Sequence, residues 1–320
     1  VSNKGFELSI SGDILQGEDY VLSANLTFGL NRMKIEKLND GADMVWDQND
    51  RWKSSYSDYC LKVGEELGLI YGFVYDGLYS VDEFTFDPND NLVAVPNEGV
   101  VYNTVFNDSN SGTATMPGKI KFKNLDLTPD SEGRQVIDEN DRTVIGNTNP
   151  KFQGGFGLSG QYKGFDFTAN FNYMYGFDVN NATAYTLSSA ESNDNNFYNV
   201  LADFAPANRW KYADYQNGQN YYKNTHIDGS VDIYKAANAN ATLWNPADVK
   251  NKVTHSYFIE DGSFFRCQDV TLGYTLPKNL TEKWGMSRLR VYVSGSNLFI
   301  ITNYSGYDPE VDVQTGLTCG

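Results

Sequence analysis

Histidine, cysteine and positive charge are scarce in this 320-residue sequence. The two histidines and three cysteines form neither a Cys-x-x-Cys pair nor a His-Glu-x-x-His motif, which leaves no sequence signature for zinc, iron–sulfur or redox chemistry. With 25 Lys and Arg against 41 Asp and Glu, the net charge of −16 makes nucleic acid an unfavourable partner. No apolar run approaches the length of a membrane-spanning helix. A composition that is 40% apolar and 14% aromatic nevertheless supports a sizeable core and excludes a disordered tail.

What the sequence does contain is a strict alternation of apolar and polar residues, the pattern of strands with one apolar and one polar face. It predicts three hairpins, over 6–30, 152–177 and 269–302. In the second hairpin the return strand places apolar residues at every odd position: Phe165, Phe167, Ala169, Phe171, Tyr173, Tyr175 and Phe177. A slip in the alternation around 264–266 predicts a β-bulge.

The predicted strands are long enough to cross a bilayer. A tilted transmembrane strand needs about 9–11 residues, whereas ordinary strands have about 5–6. The turns inside the hairpins are short, while 31–150 and 178–262 are long excursions, and this layout is typical of an outer-membrane β-barrel. Aromatic residues near the strand ends would then form interfacial belts: Tyr20, Tyr162, Phe165, Tyr175, Phe177 and Tyr274. A soluble β-sandwich is the alternative, although its turns should recur about every 8–12 residues.

Five sequence blocks, in chain order, carry a family resemblance. They are YGFVYDG at 71–77, GNTNPKF at 146–152, DGSFFR at 261–266 with VTLGYTLP at 270–277, RVYVSGSNLF at 290–299, and TNYSGYDPE at 302–310. Together they resemble the SusC/RagA-type TonB-dependent outer-membrane transporters. The resemblance extends from about Phe6 to Glu310 and is weakest between 180 and 255.

The resemblance implies an all-β fold, an antiparallel transmembrane β-barrel of about 22 strands around a plug, with long extracellular loops. Residues 1–320 would be a C-terminal portion of that barrel. The plug domain, the TonB box and the final strand of the family have no counterpart in this chain, and we expect any signal peptide to lie outside it. The implied location is the outer membrane of a Gram-negative bacterium.

The resemblance also implies transport and no enzymatic activity. Energy would arrive through TonB, and a SusD-like lipoprotein would close the barrel mouth. A glycan is the favoured ligand, and import of a peptide by the same family is an alternative. A different class is also considered, a secreted and soluble carbohydrate-binding β protein, which would stay soluble without detergent.

The second excursion contains the candidate residues for contact with the ligand or with the lipoprotein. Its aromatic residues stand among many Asn and Asp, a mixture that suits sugar rings but also suits a protein interface or loop packing, which is the favoured interpretation for any single residue. The main candidates are Trp210, Tyr212, Tyr221, Tyr222 and Trp244. The same segment also contains Phe197, Tyr198, Tyr215 and Tyr234.

Two further groups of residues have predicted roles. An acidic stretch lies where the family carries a loop resembling an EF-hand, but Arg134 and Gln135 interrupt the pattern, so a solvated acidic loop is favoured over a calcium site. Its carboxylates are Asp126, Asp130, Asp138 and Asp141. The polar positions of the strands should face the lumen, where they would contact the plug or water: Asp166, Asn170, Asn172, Arg288 and Arg290. A short strand over 119–123 is expected to pair with 69–79 outside the membrane.

Overall fold

The computed structural model describes residues 1–46, 56–89, 92–106, 114–189, 199–214, 217–223, 226–248 and 253–310. Within them the chain is mostly antiparallel β-structure. The strands are β1 (Ser2–Gln16), β2 (Tyr20–Lys34), β3 (Met44–Trp46), β4 (Cys60–Lys62), β5 (Leu69–Gly72), β6 (Tyr75–Leu78), β7 (Phe84–Asp87), β8 (Val93–Pro96), β9 (Tyr102–Asn103), β10 (Ile120–Phe122), β11 (Val136–Ile137), β12 (Thr143–Asn147), β13 (Phe152–Tyr162), β14 (Phe165–Tyr175), β15 (Asp178–Asn180), β16 (Ala213–Asp214), β17 (Gln219–Asn220), β18 (Tyr222–Lys223), β19 (His226–Ile227), β20 (Ile259–Asp261), β21 (Phe264–Thr275) and β22 (Arg290–Thr302).

The helices in these residues are short. They are α1 (Ala182–Leu187), α2 (Val231–Ala237) and α3 (Lys278–Thr281), with 3₁₀ turns at Asn39–Gly41, Val81–Glu83, Glu139–Asp141, Ala202–Phe204, Pro246–Asp248, Ser256–Phe258 and Glu282–Trp284. No helix in the described ranges combines the length and the apolar character that crossing a bilayer takes.

Six long strands form one open antiparallel sheet, which we call the main sheet. Its order is β1-β2-β13-β14-β21-β22, so the three predicted hairpins lie side by side in chain order. The turn between β13 and β14 consists of Lys163 and Gly164, both with positive φ (45° and 94°). This two-residue geometry matches the twist of the flanking strands, which explains why so short a turn suffices.

The main sheet has one apolar and one polar face because its register keeps the alternation of every strand in phase. Across neighbouring strands Leu26 lies opposite Phe156, and Phe156 lies opposite Phe171. The adjacent positions on these strands point to the polar face, where the cross-strand neighbours are Asn25, Gly157, Asn170 and Asp269. Large side chains of the apolar face are exposed, for example Phe165 at 60% and Val293 at 66%, so this face requires an apolar environment.

Aromatic rows border the apolar face at both ends, as predicted. One row runs directly across the strands through Tyr20, Tyr162, Phe165 and Tyr274. At the other end the Phe28, Phe152 and Tyr175 rings stack in sequence, with centroid separations of 5.7 and 5.0 Å. The prediction for Phe177 was wrong, because Gly176 adopts a φ of +74° and ends the strand, and Phe177 is buried.

The predicted bulge is present slightly later in the chain than expected. The register of β21 shifts between Cys267 and Asp269 against both neighbouring strands. On β22 the shift coincides with Asn297, which has a φ of +50°. The extra residues of the bulge restore the alternation of apolar and polar positions. Polar residues therefore stay on the polar face on both sides of the bulge.

The two long excursions leave the same end of the main sheet, opposite the short turns, and fold together rather than as separate loops. We call the described parts of 35–150 and 178–262 the excursion domain. The Phe73 amide donates to the Thr254 carbonyl at 3.0 Å, and the Lys119 amine forms an ion pair with Asp248 at 2.7 Å. The predicted strand near 120 is β10, which pairs with β6 inside this domain. The larger core contains residues of both excursions: Phe73, Val105, Ile120, Phe122, Ile137, Tyr185, Phe204, Leu243, Trp244, Val253 and Phe258.

Candidate functional site

The two predicted tryptophans lie in the interior of the excursion domain. Trp244 is completely buried, and its ring contacts Phe204 and Phe258 edge-on at 5.1 and 5.8 Å. Trp210 is also buried and donates from Nε1 to the Tyr234 hydroxyl at 2.7 Å. Both candidate contact residues are thus enclosed, in agreement with the loop-packing interpretation, and side chains enclosed in this way hold the domain together.

The three predicted tyrosines pack around the second, smaller core. Tyr222 is buried and stacks on Tyr234 at 5.5 Å, and Tyr221 is partly buried against the same cluster. The Tyr212 hydroxyl donates to Asp248 at 2.8 Å, and burial together with that carboxylate raises its pKa well above the usual value. These three tyrosines therefore pack within the excursion domain, which is one of the alternatives that the sequence left open. Phe197, Tyr198 and Tyr215 lie outside the described residues.

The chain after β22 folds back across the end of the main sheet, and Arg266 on the polar face binds it there. The Arg266 guanidinium donates to both oxygens of Asp308 at 2.8 and 2.9 Å and to Glu310 at 2.8 Å. Burial alone would raise the pKa of Asp308, but the hydrogen bonds from Arg266 and from the Glu310 amide lower it. The segment 303–310 is therefore held over the polar face.

A second network joins this segment to the excursion domain. The Glu260 carboxylate accepts from the Ser305 amide at 2.7 Å and from the Ser305 hydroxyl at 2.8 Å. It also accepts from the Asn181 side-chain amide at 2.8 Å. Because Glu260 lies in β20 and Asn181 follows β15, the network fixes 303–310 to the base of the second excursion.

Two exposed aromatic residues are close to this network, Tyr257 in space and Tyr307 in the chain. Tyr307 is 81% exposed, and Tyr257 is 40% exposed with its inner edge packed on Trp244 at 5.1 Å. Burial, with Asp203 and Glu260 nearby, raises the pKa of Tyr257. We call Tyr257, Glu260, Ser305 and Tyr307 the mouth cluster. Sequence reasoning missed it, although Ser305 and Tyr307 lie in the last of the five family blocks.

The predicted lumen-facing residues lie on or beside the polar face. Arg290 donates from Nε to Asp166 at 3.0 Å and also from a terminal nitrogen to the same carboxylate. Arg288 lies two residues before β22, is exposed, and makes a single long contact of 3.5 Å with Thr275. The structure therefore joins Asp166 to Arg290 but leaves Arg288 outside the strand.

The other two predicted positions lie further along the same face. The Asn170 amide donates to both Asp269 oxygens, at 3.1 and 3.2 Å. Asn172 lies opposite Arg266, and within the described residues its side-chain oxygen is buried without a hydrogen-bond partner. A group beyond these residues would satisfy it.

The four aspartates considered for calcium are engaged with protein groups. Asp141 is completely buried and accepts backbone amides of Leu125 at 2.5 Å, Asp126 at 3.2 Å and Asp138 at 2.8 Å. Asp130 forms an ion pair with Arg134 at 2.7 Å. The Asp126 and Asp138 side chains accept the amides of Thr128 and Asn140 at 3.0 and 2.7 Å. Across the described ranges, no three His, Cys, Asp or Glu side chains are grouped to hold a metal ion.

His255 occupies the centre of the larger core. Its ring lies 5.9 Å from Tyr75, 5.5 Å from Tyr185 and 5.1 Å from Phe258. In the described part of the chain neither ring nitrogen has a hydrogen-bond partner, and burial lowers the pKa to about 3. The histidine thus serves as a neutral aromatic ring.

Comparisons with known proteins agree with this architecture. No protein-family profile matches the chain. It is 28% identical over 312 residues to the TonB-dependent receptor P3 of Formosa agariphila, covering 98% of this chain and 25% of that receptor. It is 24% identical over 320 residues to the TonB-dependent receptor SusC of Bacteroides thetaiotaomicron, covering 97% of this chain and 24% of SusC.

A solved structure shares the fold. The RagAB peptide importer in its closed-closed state superposes with a TM-score of 0.59 at 19% identity, over 96% of this chain and 26% of that one. This chain thus spans about a quarter of the length of the proteins it matches. The alternating main sheet, the five ordered blocks and these relatives show that the chain is similar to TonB-dependent receptors, SusC among them, over nearly its whole length.

Proposed function

We propose that the chain forms part of the wall and the external loops of an outer-membrane transporter that imports a nutrient. The observation that carries this proposal is the main sheet, whose strands of 11–15 residues have one exposed apolar face and one polar face. Such a sheet fits between lipid and a polar lumen. The apolar face would contact acyl chains, and the polar face, including Asp166, Asn170, Asn172 and Arg290, would contact a plug or water. The excursion domain would be extracellular.

The similarity to TonB-dependent receptors supports a proposal for the energy source and the partner. A transporter of this group would take up its ligand with energy delivered through TonB, and it would assemble with a SusD-like lipoprotein over the mouth. The protein's own role would be binding and passage, with no bond of the ligand broken. The Arg266–Asp308–Glu310 and Glu260–Ser305 contacts support this role, because they fix a surface at the end of the sheet where a ligand would enter.

A glycan is the ligand class that we favour. In the mouth cluster, the exposed ring of Tyr257 lies near the Glu260 carboxylate, which accepts the Ser305 hydroxyl, and the exposed Tyr307 follows Ser305 by two residues. Flat rings suit the C–H faces of a sugar, and the polar groups suit its hydroxyls. A peptide is the second candidate, since the RagAB structure that shares this fold is that of a peptide importer.

The test is uptake by the complete receptor with Tyr257 and Tyr307 both changed to Ala. We expect uptake of a labelled oligosaccharide to fall at least about tenfold, as expected for losing two aromatic contacts at a binding surface. The matched control is Ile233→Ala, an exposed apolar residue elsewhere on the excursion domain. Unchanged uptake in the double variant would contradict the role of the mouth cluster. Recovery of the protein in the soluble fraction without detergent would instead favour a secreted carbohydrate-binding protein.

Point variants are preferable to removal of the loop. Deletion of 193–251 would remove most of the second excursion at once. The described part of that segment contributes Trp210, Tyr222, Tyr234 and Trp244 to the two cores, so its deletion would unfold the excursion domain as well.

A further inference from the structure

Two cavities lie side by side on the apolar face of the main sheet, at the end that carries the excursion domain. They share Tyr175 and Ser263. One measures about 420 Å³ and is lined mainly by polar and charged side chains, and the other measures about 310 Å³ and is lined mainly by aromatic and aliphatic ones. Small-molecule sites typically measure about 300–1,000 Å³. A polar cavity that adjoins an apolar one matches the two halves of an amphiphile.

Two cations stand at the rim of the polar cavity. The Arg32 guanidinium is fixed by the carbonyls of Pro150 and Lys151, at 3.0 and 3.3 Å, and its Nε lies 3.9 Å from Glu66. Lys151 is exposed, and its stem lies where a side chain at Gly176 would be. Glycine at 176 therefore makes room for the Lys151 side chain.

The interior of the polar cavity offers hydrogen-bond acceptors. Asp178 accepts the Asn147 amide at 2.8 Å, and Asp261 accepts the Ser263 amide at 2.9 Å and hydroxyl at 2.5 Å. Among the described residues these bonds engage one oxygen of each carboxylate, and the second can accept from a ligand hydroxyl. Acceptors inside and cations at the rim complement a group that carries both hydroxyls and an anion.

The apolar cavity continues the lipid-facing surface. Phe152 and Tyr175 stack at its upper edge with 5.0 Å between centroids, and Tyr173, Phe265 and Ile301 complete the lining from neighbouring strands. All five belong to the apolar face by register. An acyl chain lying against these side chains would run along the strands towards the bilayer centre.

We propose that the paired cavities bind a phosphorylated glycolipid of the outer leaflet, with the phosphate at Lys151 and Arg32, the sugar hydroxyls at Asp178 and Asp261, and an acyl chain in the apolar cavity. The proposal rests on the placement of the main sheet in the outer membrane given above. The charge pattern favours this occupant over a phospholipid with a simple anionic headgroup, because the carboxylates would repel a headgroup that brings no hydroxyl donors.

The experiment uses the complete receptor in mild detergent and lipid A as the probe, with binding followed by native mass spectrometry. Replacing Lys151 by Glu should raise the apparent Kd at least about tenfold, and replacing it by Gln should raise it less, since one charge-assisted contact is removed rather than reversed. The matched control is Lys163→Glu, the same change in the turn at the opposite end of the sheet. Heat modifiability on gels verifies that each variant forms a barrel.

The possible results are decisive. Weaker binding by the Lys151 variants, with unchanged binding by Lys163→Glu, supports the site. Equal binding by Lys151→Glu and the unchanged protein overturns it, and so does phosphatidic acid, whose headgroup is a phosphate without a sugar or glycerol, binding as tightly as lipid A. Uptake is measured separately in cells, so loss of import with intact lipid A binding would contradict only the proposed function.

Discussion

Asn170 and Phe171 are adjacent in β14 and lie on opposite faces of the main sheet. The Phe171 ring stacks on Phe156 with 4.6 Å between centroids. The Asn170 amide is bound to Asp269 on the other side. One peptide unit therefore separates an apolar environment from a polar one.

A lysine at each of these two positions should have very different effects. Phe171→Lys near the bilayer midplane should cost about 2–4 kcal/mol of folding into membranes, while Asn170→Lys should cost far less because its face is polar. Urea titration of the complete receptor in lipid vesicles, read by gel mobility, measures both. Equal losses would show that the two faces are wrongly assigned.

The two ends of the main sheet should lie on opposite sides of the membrane. A peptide epitope inserted at Asn217-Gly218, in the excursion domain, should be labelled by antibody on intact cells. An epitope at Lys163-Gly164 should be labelled only after the outer membrane is permeabilised. Labelling in the reverse order would invert the proposed orientation.

The excursion domain should lose stability in acid because of His255. Its pKa is lowered to about 3 in the folded state by burial, against about 6.5 when unfolded, so only the unfolded chain binds a proton between these values. The contribution of His255 to the free energy of unfolding is therefore fully present above pH 6.5. Below that pH, the free energy of unfolding should fall by about 1.4 kcal/mol per pH unit. Tryptophan fluorescence reports the change, since Trp244 lies 6.0 Å from His255.

Two variants isolate this contribution from that of the carboxylates. His255→Phe keeps a ring in the core and removes the proton site, so its unfolding should depend less on pH. His226→Gln, at the partly exposed second histidine, should behave like the unchanged protein. The same acid sensitivity in all three proteins would rule out His255 as the source.

Metal chelation should leave the excursion domain unchanged, because backbone amides already surround the Asp141 carboxylate. Thermal unfolding with and without a calcium chelator tests this expectation. Asp141→Asn should destabilise by about 1–3 kcal/mol, since an amide nitrogen would face backbone N–H donors. Asp130→Asn, at the ion pair with Arg134, is the partly exposed comparison and should cost less. A lower melting temperature on chelation would restore the calcium hypothesis.

The main sheet could be predicted from sequence because the residue pattern that specifies each strand lies within that strand. In β14, every second residue from Phe165 to Tyr175 is apolar, and the period alone assigns faces. Local sequence features also indicate the turn at Lys163-Gly164 and the bulge near Asp269. Phe177 was misplaced, since the alternation continues one step beyond the glycine that ends the strand, and Arg288 lies two residues before β22 rather than in it.

The excursion domain could not be predicted in the same way, because its strands have two to five residues and show no usable period. Trp244 and Tyr257 are both aromatic residues in an Asn-rich segment, yet one is enclosed and the other exposed. The difference arises from contacts with Phe204 and Phe258, which depend on the tertiary fold. The mouth cluster similarly joins residues about 50 positions apart.

The shared core of the excursion domain also constrains the order of assembly. Phe73 and Phe122 come from the first excursion, Trp244 and Phe258 come from the second, and the β13–β14 hairpin lies between them in the chain. The first excursion cannot complete its hydrophobic core until residues as late in the chain as 258 are available to pack against it. Its contact order is therefore high. In the proposed orientation, both segments would cross the membrane before they fold, and their folding would be one late, coupled step that follows insertion of the hairpin.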